Sequence, residues 1–279
     1  MTRIDGLAAI ADRFDGLILD QFGVLHDGAR AYPDAAGCVE RLVKAGKSLV
    51  LLSNSGRRTR ENRARLAALG FPVAAFAAVV TSGEVVWETL ATRADLFHAA
   101  LGRRCYLIAE SGEALFLAGL DLDPVGTVAD ADFILLLGID TPRRSLADYR
   151  PALAAGVRRG IPLLCANSDL VRLTRSGLQP ASGALAQKYA AMGGYVRWYG
   201  KPEAAIYERC LAALPGIDRR RVLAVGDSLE HDIDGAHAAG LASLYIRGGI
   251  DQGKPTALLP DTRLLKDAAP DFVAERFRW

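Results

Sequence analysis

The stretch LILDQFGVLHDG, residues 17–28, decides the fold. Three apolar residues lead directly into Asp20, without alternation of apolar and polar positions. Such a run is typical of a strand that is buried on both faces, as in a parallel sheet. An acidic residue at the end of this strand lies at the carboxyl edge of the sheet, where open α/β folds bind ligands. Asp20 is therefore a candidate site residue, and the ordinary alternative is a turn in which its carboxylate caps backbone amides.

The segments around this stretch alternate between short apolar runs and helical patterns. Runs at residues 48–52, 222–225 and 242–246 predict buried strands, and the apolar spacing after Pro33 predicts a helix that Gly46 ends. Alternating strands and helices predict a doubly wound parallel sheet with right-handed crossovers, a Rossmann-like α/β core.

A second α/β pattern interrupts the first. Its predicted strands are residues 105–109, 133–137 and 162–166. The pattern extends over about 100 residues, which is an ordinary size for a domain. We therefore predict an inserted α/β domain at residues 82–179, within a core domain formed by residues 1–81 and 180–279.

The composition excludes several classes of protein. About half of the 279 residues are hydrophobic, but no segment reaches the roughly 18 consecutive apolar residues of a membrane span. The formal net charge is +2 and no long basic run is present, so we expect no nucleic-acid partner. The first residues resemble no secretory signal, and the four cysteines are isolated within apolar segments. We therefore expect a cytoplasmic protein with reduced cysteines.

Polar residues follow several of the predicted strands. Asp20, Ser53 and Asp227 stand at strand ends, and Lys201 and Asp232 stand in nearby loops. If these residues share one crevice, the carboxylates raise one another's pKa unless a cation lies among them. Mg²⁺ is bound by few carboxylates and completes its shell with water and substrate oxygens. A lysine and a hydroxyl followed by backbone amides suit a dianionic phosphate.

The order of these motifs resembles that of the haloacid dehalogenase superfamily of phosphohydrolases. The matching motifs are the Asp20 loop, the Ser53 loop, Lys201-Pro202, and Gly226-Asp227 with Asp232. Each motif is weak alone, but the four in this order resemble the family over nearly the whole chain. The position of the insertion is similar to that of the α/β cap domain of the class IIA branch.

The resemblance implies a Mg²⁺-dependent phosphatase that acts on a small phosphorylated metabolite, for example a sugar phosphate. It also implies a cap that closes over the carboxyl edge of the core sheet. Members of this branch often pair through the cap, so the resemblance allows a homodimer.

The resemblance also assigns roles to residues. Asp20 is implied as the nucleophile that becomes an aspartyl-phosphate. Ser53, Asn54 and Lys201 are implied to bind the phosphate, and Asp232 to support Lys201 or a metal-bound water. As ordinary alternatives, Ser53 and Asp232 would cap helices and Lys201 would lie at the surface.

The metal ligands implied by the resemblance are Asp20, Asp227 and the backbone carbonyl of Phe22. Selection of the substrate would fall to the inserted domain. There the loop formed by Asn167, Ser168 and Asp169 follows a predicted strand and is the candidate. A turn held by side-chain-to-backbone hydrogen bonds explains that loop equally well.

Phe22 departs from the family pattern. Phosphatases of the superfamily usually carry a second Asp at this position, which protonates the leaving group and later activates water.

The phenylalanine at position 22 allows three interpretations. The first is a phosphatase without this acid, with His26 or His231 as a candidate substitute. The second is a metal-free dehalogenase, since those members carry an aromatic residue here, although they lack an acid like Asp227. The third is a phosphoester-binding protein with little turnover.

Overall fold

A computed structural model describes residues 1–110, 113–141, 143–174, 177–249 and 269–279. No helix among these residues is both long enough and apolar enough to cross a bilayer. The strands are β1 (Thr2–Arg3), β2 (Gly16–Asp20), β3 (Ser48–Ser53), β4 (Phe76–Thr81), β5 (Arg104–Ile108), β6 (Asp123–Pro124), β7 (Phe133–Leu136), β8 (Leu163–Cys165), β9 (Val171–Thr174), β10 (Gly177–Pro180), β11 (Val196–Trp198), β12 (Val222–Gly226), β13 (Ala242–Ile246) and β14 (Phe272–Ala274).

The α-helices connect these strands. They are α1 (Ala35–Lys44), α2 (Thr59–Ala68), α3 (Ser82–Thr92), α4 (Leu96–Ala99), α5 (Arg150–Arg159), α6 (Ser182–Ala191), α7 (Ala204–Ala212) and α8 (Asp234–Ala238).

The chain forms two compact units. Unit 1 comprises Met1–Ser53, Arg60–Val80 and Lys201–Trp279. Its seven-stranded sheet has the order β1-β14-β13-β12-β2-β3-β4, and the pairs of known register are parallel. Alternate residues of β2, β3 and β12 pack with α1 in one apolar cluster, and the residues between them are buried as well. Unit 1 is therefore the predicted Rossmann-like core, a parallel sheet that is covered on both faces.

Unit 2 comprises Asn54–Thr59 and Thr81–Gly200. Its five-stranded parallel sheet has the order β11-β8-β7-β5-β6. Residues of α5 and α6 pack on one face, and residues of α3 pack on the other. A separate antiparallel hairpin joins β9 and β10. The inserted α/β unit is confirmed, but its hairpin was not predicted.

The predicted boundary at residue 180 is wrong. The helix and strand that follow it belong to unit 2, because β11 pairs with β8 and the Tyr189 hydroxyl of α6 donates to the Ile161 carbonyl at 2.6 Å. The sequence pattern shows one more helix and strand but does not show which sheet the strand joins. Part of the predicted core, residues 250–268, lies outside the described residues.

The segment before β2, residues 5–14, forms two 3₁₀ turns, Leu7–Ala9 and Ala11–Arg13. Leu7 in the first turn and Ile10 between the two turns are both buried, and their spacing of three positions matches the period of a 3₁₀ helix. At the other end of the chain, β14 is not an edge strand, because β1 lies outside it in the sheet.

Candidate active site

The register of the core sheet brings the strand-end residues together. Leu19 of β2 pairs with Val225 of β12, so Asp20 lies opposite Gly226 and beside Asp227. On the other side Asp20 pairs with Leu52 of β3, so Ser53 is the next residue along. Ser53 is buried at the end of β3. The carboxyl edge of three neighbouring strands therefore holds three of the predicted site residues.

A cluster of three buried carboxylates forms at this edge. Carboxylate oxygens of Asp20, Asp227 and Asp232 lie within 4.8 Å of one another, and each residue is at most 7% exposed. The Lys201 ammonium donates to Asp20 Oδ1 at 2.5 Å and to Asp232 Oδ1 at 2.7 Å. Three carboxylates and one ammonium leave an excess of negative charge in a buried place. Oxygen donors with this charge suit a hard divalent cation such as Mg²⁺.

The pKa of Asp20 reflects this crowding. Burial raises the pKa of its carboxyl to about 7, the Lys201 ammonium opposes the rise, and the Asp232 carboxylate adds to it. A bound divalent cation would favour the ionised form that a nucleophile requires.

Two glycines let Asp227 approach the loops beside it. Gly23 has φ +87°, and a Cβ there would lie 1.7 Å from Asp227 Oδ2. A Cβ at Gly249 would lie 2.3 Å from the same oxygen. The carboxylate therefore packs directly against the backbone of both loops, and a side chain at either position would displace it.

Asp232 is held by a π-helical turn, Leu229–Ile233. The Ser228 backbone N–H donates to Asp232 Oδ2 at 3.1 Å, and the Tyr207 hydroxyl donates to the Asp232 carbonyl. A Cβ at Gly226 would lie 2.0 Å from the Asp232 Cγ. The backbone therefore fixes one oxygen of this carboxylate and leaves the other for Lys201.

Asn54 belongs to unit 2, although it directly follows Ser53. Its side-chain nitrogen donates to Ser168 Oγ at 2.9 Å and to Asp169 Oδ1 at 2.8 Å, and its oxygen accepts from the Ser82 hydroxyl. The Asn167 side chain accepts from the Asp169 backbone N–H, as in the turn that was the alternative interpretation of this loop. The structure thus joins the candidate substrate loop to Asn54 within unit 2, and a role of these residues in binding substrate or phosphate stays a prediction.

Phe22 lies in the loop after Asp20 with 38% of its surface exposed. Its ring makes an edge contact with the His26 ring, with centroids 4.5 Å apart, and the Arg65 guanidinium carbon lies 5.6 Å from its centroid. A Cβ at Gly28, which has φ +93°, would lie 3.0 Å from the Phe22 ring. His26 and Gly28 of the same loop therefore lie against the Phe22 ring.

The two candidate histidines differ. His26 is fully buried, accepts a hydrogen bond from the Gly28 backbone N–H on Nδ1, and contacts the Gln21 side chain through Nε2. Burial, with Arg65, lowers the pKa of His26 to about 4, so the ring is neutral near pH 7. This argues against His26 as a proton donor. His231 lies with Nδ1 3.1 Å from the Ser228 hydroxyl.

Comparisons with known proteins agree with this geometry. Residues 17–123 match the family model described as haloacid dehalogenase-like hydrolase, and residues 198–279 match the model described as HAD-hydrolase-like. Human chronophin is 32% identical over 254 residues, which cover 88% of this chain and 85% of chronophin. The chain belongs to the haloacid dehalogenase-like hydrolases.

Other members of the family extend the comparison. A crystal structure of a haloacid dehalogenase-like hydrolase from Brucella suis has a TM-score of 0.85 and 28% identity, covering 98% of this chain and 99% of that one. The D-glycerol 3-phosphate phosphatase of Mycobacterium tuberculosis is 31% identical over 88% of this chain, which spans 66% of that longer protein. A structure of the glycerol phosphate phosphatase from that organism in complex with magnesium has a TM-score of 0.66 and 28% identity, covering 86% of this chain and 70% of that one.

Two polar residues of this hydrolase were missed by the sequence analysis. Gln21 is fully buried, its amide nitrogen lies 3.0 Å from His26 Nε2, and its amide oxygen has no hydrogen-bond partner among the described residues. Because Gly28 donates to Nδ1 of neutral His26, the ring proton lies on Nε2, and exchanging the amide nitrogen and oxygen of Gln21 gives this proton its acceptor. Tyr32 has a buried hydroxyl with no hydrogen-bond partner among the described residues. Burial and the nearby carboxylates, with Asp227 first, raise the pKa of Tyr32 to about 12. A glutamine in a buried apolar stretch was the only signal for the first, and the sequence carried none for the second.

Proposed function

We propose that this hydrolase is a Mg²⁺-dependent phosphatase of a small phosphorylated metabolite, acting through an aspartyl-phosphate on Asp20. The observation that carries the proposal is the cluster of Asp20, Asp227 and Asp232 with Lys201 bridging two of the three carboxylates. The family supports a phosphoric monoester hydrolase, since the mycobacterial relative is a phosphatase of D-glycerol 3-phosphate.

The metal would be held by Asp20, Asp227 and the backbone carbonyl of Phe22. The fit rests on the charge of the cluster and on the glycines at 23 and 249, which bring Asp227 to the loops. When bound, the cation would offset the carboxylates and the negative charge of the phosphoryl oxygens.

Each side chain of the cluster has a separate role in the proposed reaction. The Asp20 carboxylate attacks phosphorus, and Lys201, already oriented toward Asp20, offsets negative charge on the transferring group. Asp232 holds the Lys201 ammonium in place through its second hydrogen bond. Ser53, at the adjacent strand end, would donate to a phosphoryl oxygen. Water then releases phosphate and restores the Asp20 carboxylate.

Asp227 argues against the metal-free dehalogenase. Its carboxylate is buried within the same 4.8 Å cluster as Asp20, where an added negative charge is costly without a cation. A dehalogenase that needs no metal would have no use for Asp227 as a metal ligand.

The first test is turnover of an aryl phosphate with Mg²⁺ or with a chelator. We expect activity only with Mg²⁺. Asp20→Asn should lower kcat by about 10⁴-fold, and Asp227→Asn should abolish the response of the rate to Mg²⁺. Asp12→Asn, at an exposed residue of unit 1, is the matched control and should keep full activity. Mg²⁺-dependent phosphate binding without turnover would leave only a binding role, and halide release in chelator would favour the dehalogenase.

A further inference from the structure

Within the described part of the chain, the Asp20 carboxylate accepts a side-chain hydrogen bond from Lys201, and that ammonium is shared with Asp232. Both hydrogen bonds tie the ammonium to these two carboxylates, so it is positioned to offset their charge.

The residue two positions beyond Asp20 offers a ring in place of an acid. Phe22 is partly exposed, and the Arg65 guanidinium lies 5.6 Å from its centroid. Both ring nitrogens of the neighbouring His26 are engaged inside the loop, by Gly28 and Gln21. The Tyr32 hydroxyl is shielded from solvent, and therefore from an incoming substrate as well. Position 22 thus presents an apolar ring, and the Arg65 guanidinium of α2 lies beside that ring.

We propose that the natural substrates are phosphate esters or anhydrides whose leaving group departs as a stable anion. This class comprises aryl, enol and acyl phosphates, and it excludes simple alkyl phosphates as efficient substrates. The inference rests on the proposed function and narrows it.

The chemistry balances without an acid at position 22. The Asp20 carboxylate forms a bond to phosphorus while the bond from phosphorus to the leaving oxygen breaks, and that oxygen keeps the electron pair. The product leaves as a phenolate, enolate or carboxylate and takes any proton from solvent. Water then attacks phosphorus, the bond to Asp20 breaks, and phosphate and a proton are released.

Arg65 of α2 is consistent with this proposal, because its guanidinium lies 5.6 Å from the centroid of the Phe22 ring, two residues after the nucleophile. Negative charge develops on the leaving oxygen in the transition state, and if that oxygen departs past the Phe22 ring, this cation would lower the barrier. This stabilisation is too small to make an alkoxide a good leaving group, because the pKa of an alcohol is close to that of water, about 15.7. A phenol, with a pKa of about 10, loses its proton far more readily.

The test is a leaving-group series with the wild-type chain and Mg²⁺. Aryl phosphates of graded phenol pKa, acetyl phosphate, an enol phosphate and glycerol phosphate are compared by kcat/KM. We expect kcat/KM to fall steadily as the pKa of the leaving group rises. Glycerol phosphate should lie about 10²- to 10⁴-fold below the best aryl substrates, the range that a general acid contributes.

Matched variants at position 22 test whether the missing acid causes the dependence of kcat/KM on the pKa of the leaving group. Phe22→Asp should flatten the dependence on leaving-group pKa and improve glycerol phosphate most. Phe22→Asn has the same shape but cannot donate a carboxyl proton, so it should leave the slope as steep as in the wild type. Arg65→Gln should lower kcat for all members of the series, whereas Arg60→Gln, at an exposed arginine of the same helix, should not.

The outcomes separate the two proposals. Equal kcat/KM for glycerol phosphate and aryl phosphates in the wild type overturns the substrate class and leaves the phosphatase intact. Absence of Mg²⁺-dependent turnover across the whole series overturns the phosphatase itself. If Phe22→Asp does not fold, the wild-type series still decides.

Discussion

At the scale of single residues, Asp20 is the group whose protonation should be visible in the stability of the protein. Its pKa of about 7 in the fold lies above the ordinary value of 3.8. The folded chain therefore keeps a proton that the unfolded chain loses between these values. Its stabilising contribution is complete below about pH 4 and is lost as the pH rises through 7.

This gives the first prediction for the metal-free protein. With chelator present, the unfolding free energy of the wild type minus that of Asp20→Asn should decrease between pH 4 and pH 7.5. Urea titrations at each pH measure it. The decrease should vanish with saturating Mg²⁺, because the cation favours the ionised carboxylate. A flat difference in chelator would show that the carboxyl of Asp20 titrates normally.

Lys201 gives a second prediction at this scale. Its ammonium is 4% exposed and bridges Asp20 and Asp232, so Lys201→Met leaves two buried carboxylates without their cation. We expect a loss of about 3–5 kcal/mol in unfolding free energy. Adding Asp232→Asn should recover part of that loss, because one of the two charges is removed. Purely additive losses in this double-mutant cycle would contradict the bridge.

At the scale of elements, the loops around Asp227 depend on glycine. Gly23 and Gly70 both adopt φ near +87°, but only Gly23 faces a neighbouring carboxylate, and nothing lies within 4 Å of a Cβ built at Gly70. Gly70→Ala should therefore cost only backbone strain, about 1–2 kcal/mol, and keep full activity. Gly23→Ala should lower the unfolding free energy by a similar amount and should also weaken Mg²⁺ binding. Isothermal titration calorimetry measures the Mg²⁺ affinity of both variants. Equal Mg²⁺ affinity in both variants would exclude the close packing of Asp227 on this loop.

Some of these structural elements could be predicted from the sequence alone, and others could not. The strands ending at Asp20, Ser53 and Gly226 were predictable because each is an apolar run followed by a polar residue, and parallel strands place such ends at one edge. The β9–β10 hairpin was not predictable, since its short strands carry no long apolar run. The link between Asn54 and the Asn167–Asp169 loop joins residues more than 100 positions apart, which no local pattern encodes.

At the scale of the whole molecule, the division into units decides which core each buried residue supports. The sequence placed residues 180–200 in the core domain, whereas β11 pairs with β8 in the sheet of unit 2. Tyr189 and Tyr207 make a natural pair for testing this. Both are fully buried tyrosines whose hydroxyls donate to backbone carbonyls, one in unit 2 and the other in unit 1.

Native-state hydrogen exchange should separate the two units. Tyr189→Ala removes a large buried side chain, so the opening free energy of amides in β7 and β8 should fall by about 3–5 kcal/mol, with β2 and β12 little changed. Tyr207→Ala should produce the reverse pattern. Because α6 follows residue 180, a Tyr189→Ala effect centred on β2 and β12 would restore the original boundary. An effect centred on β7 and β8 means that the core of the inserted unit includes α6, in agreement with a unit 2 that ends at Gly200 and a unit 1 that resumes at Lys201.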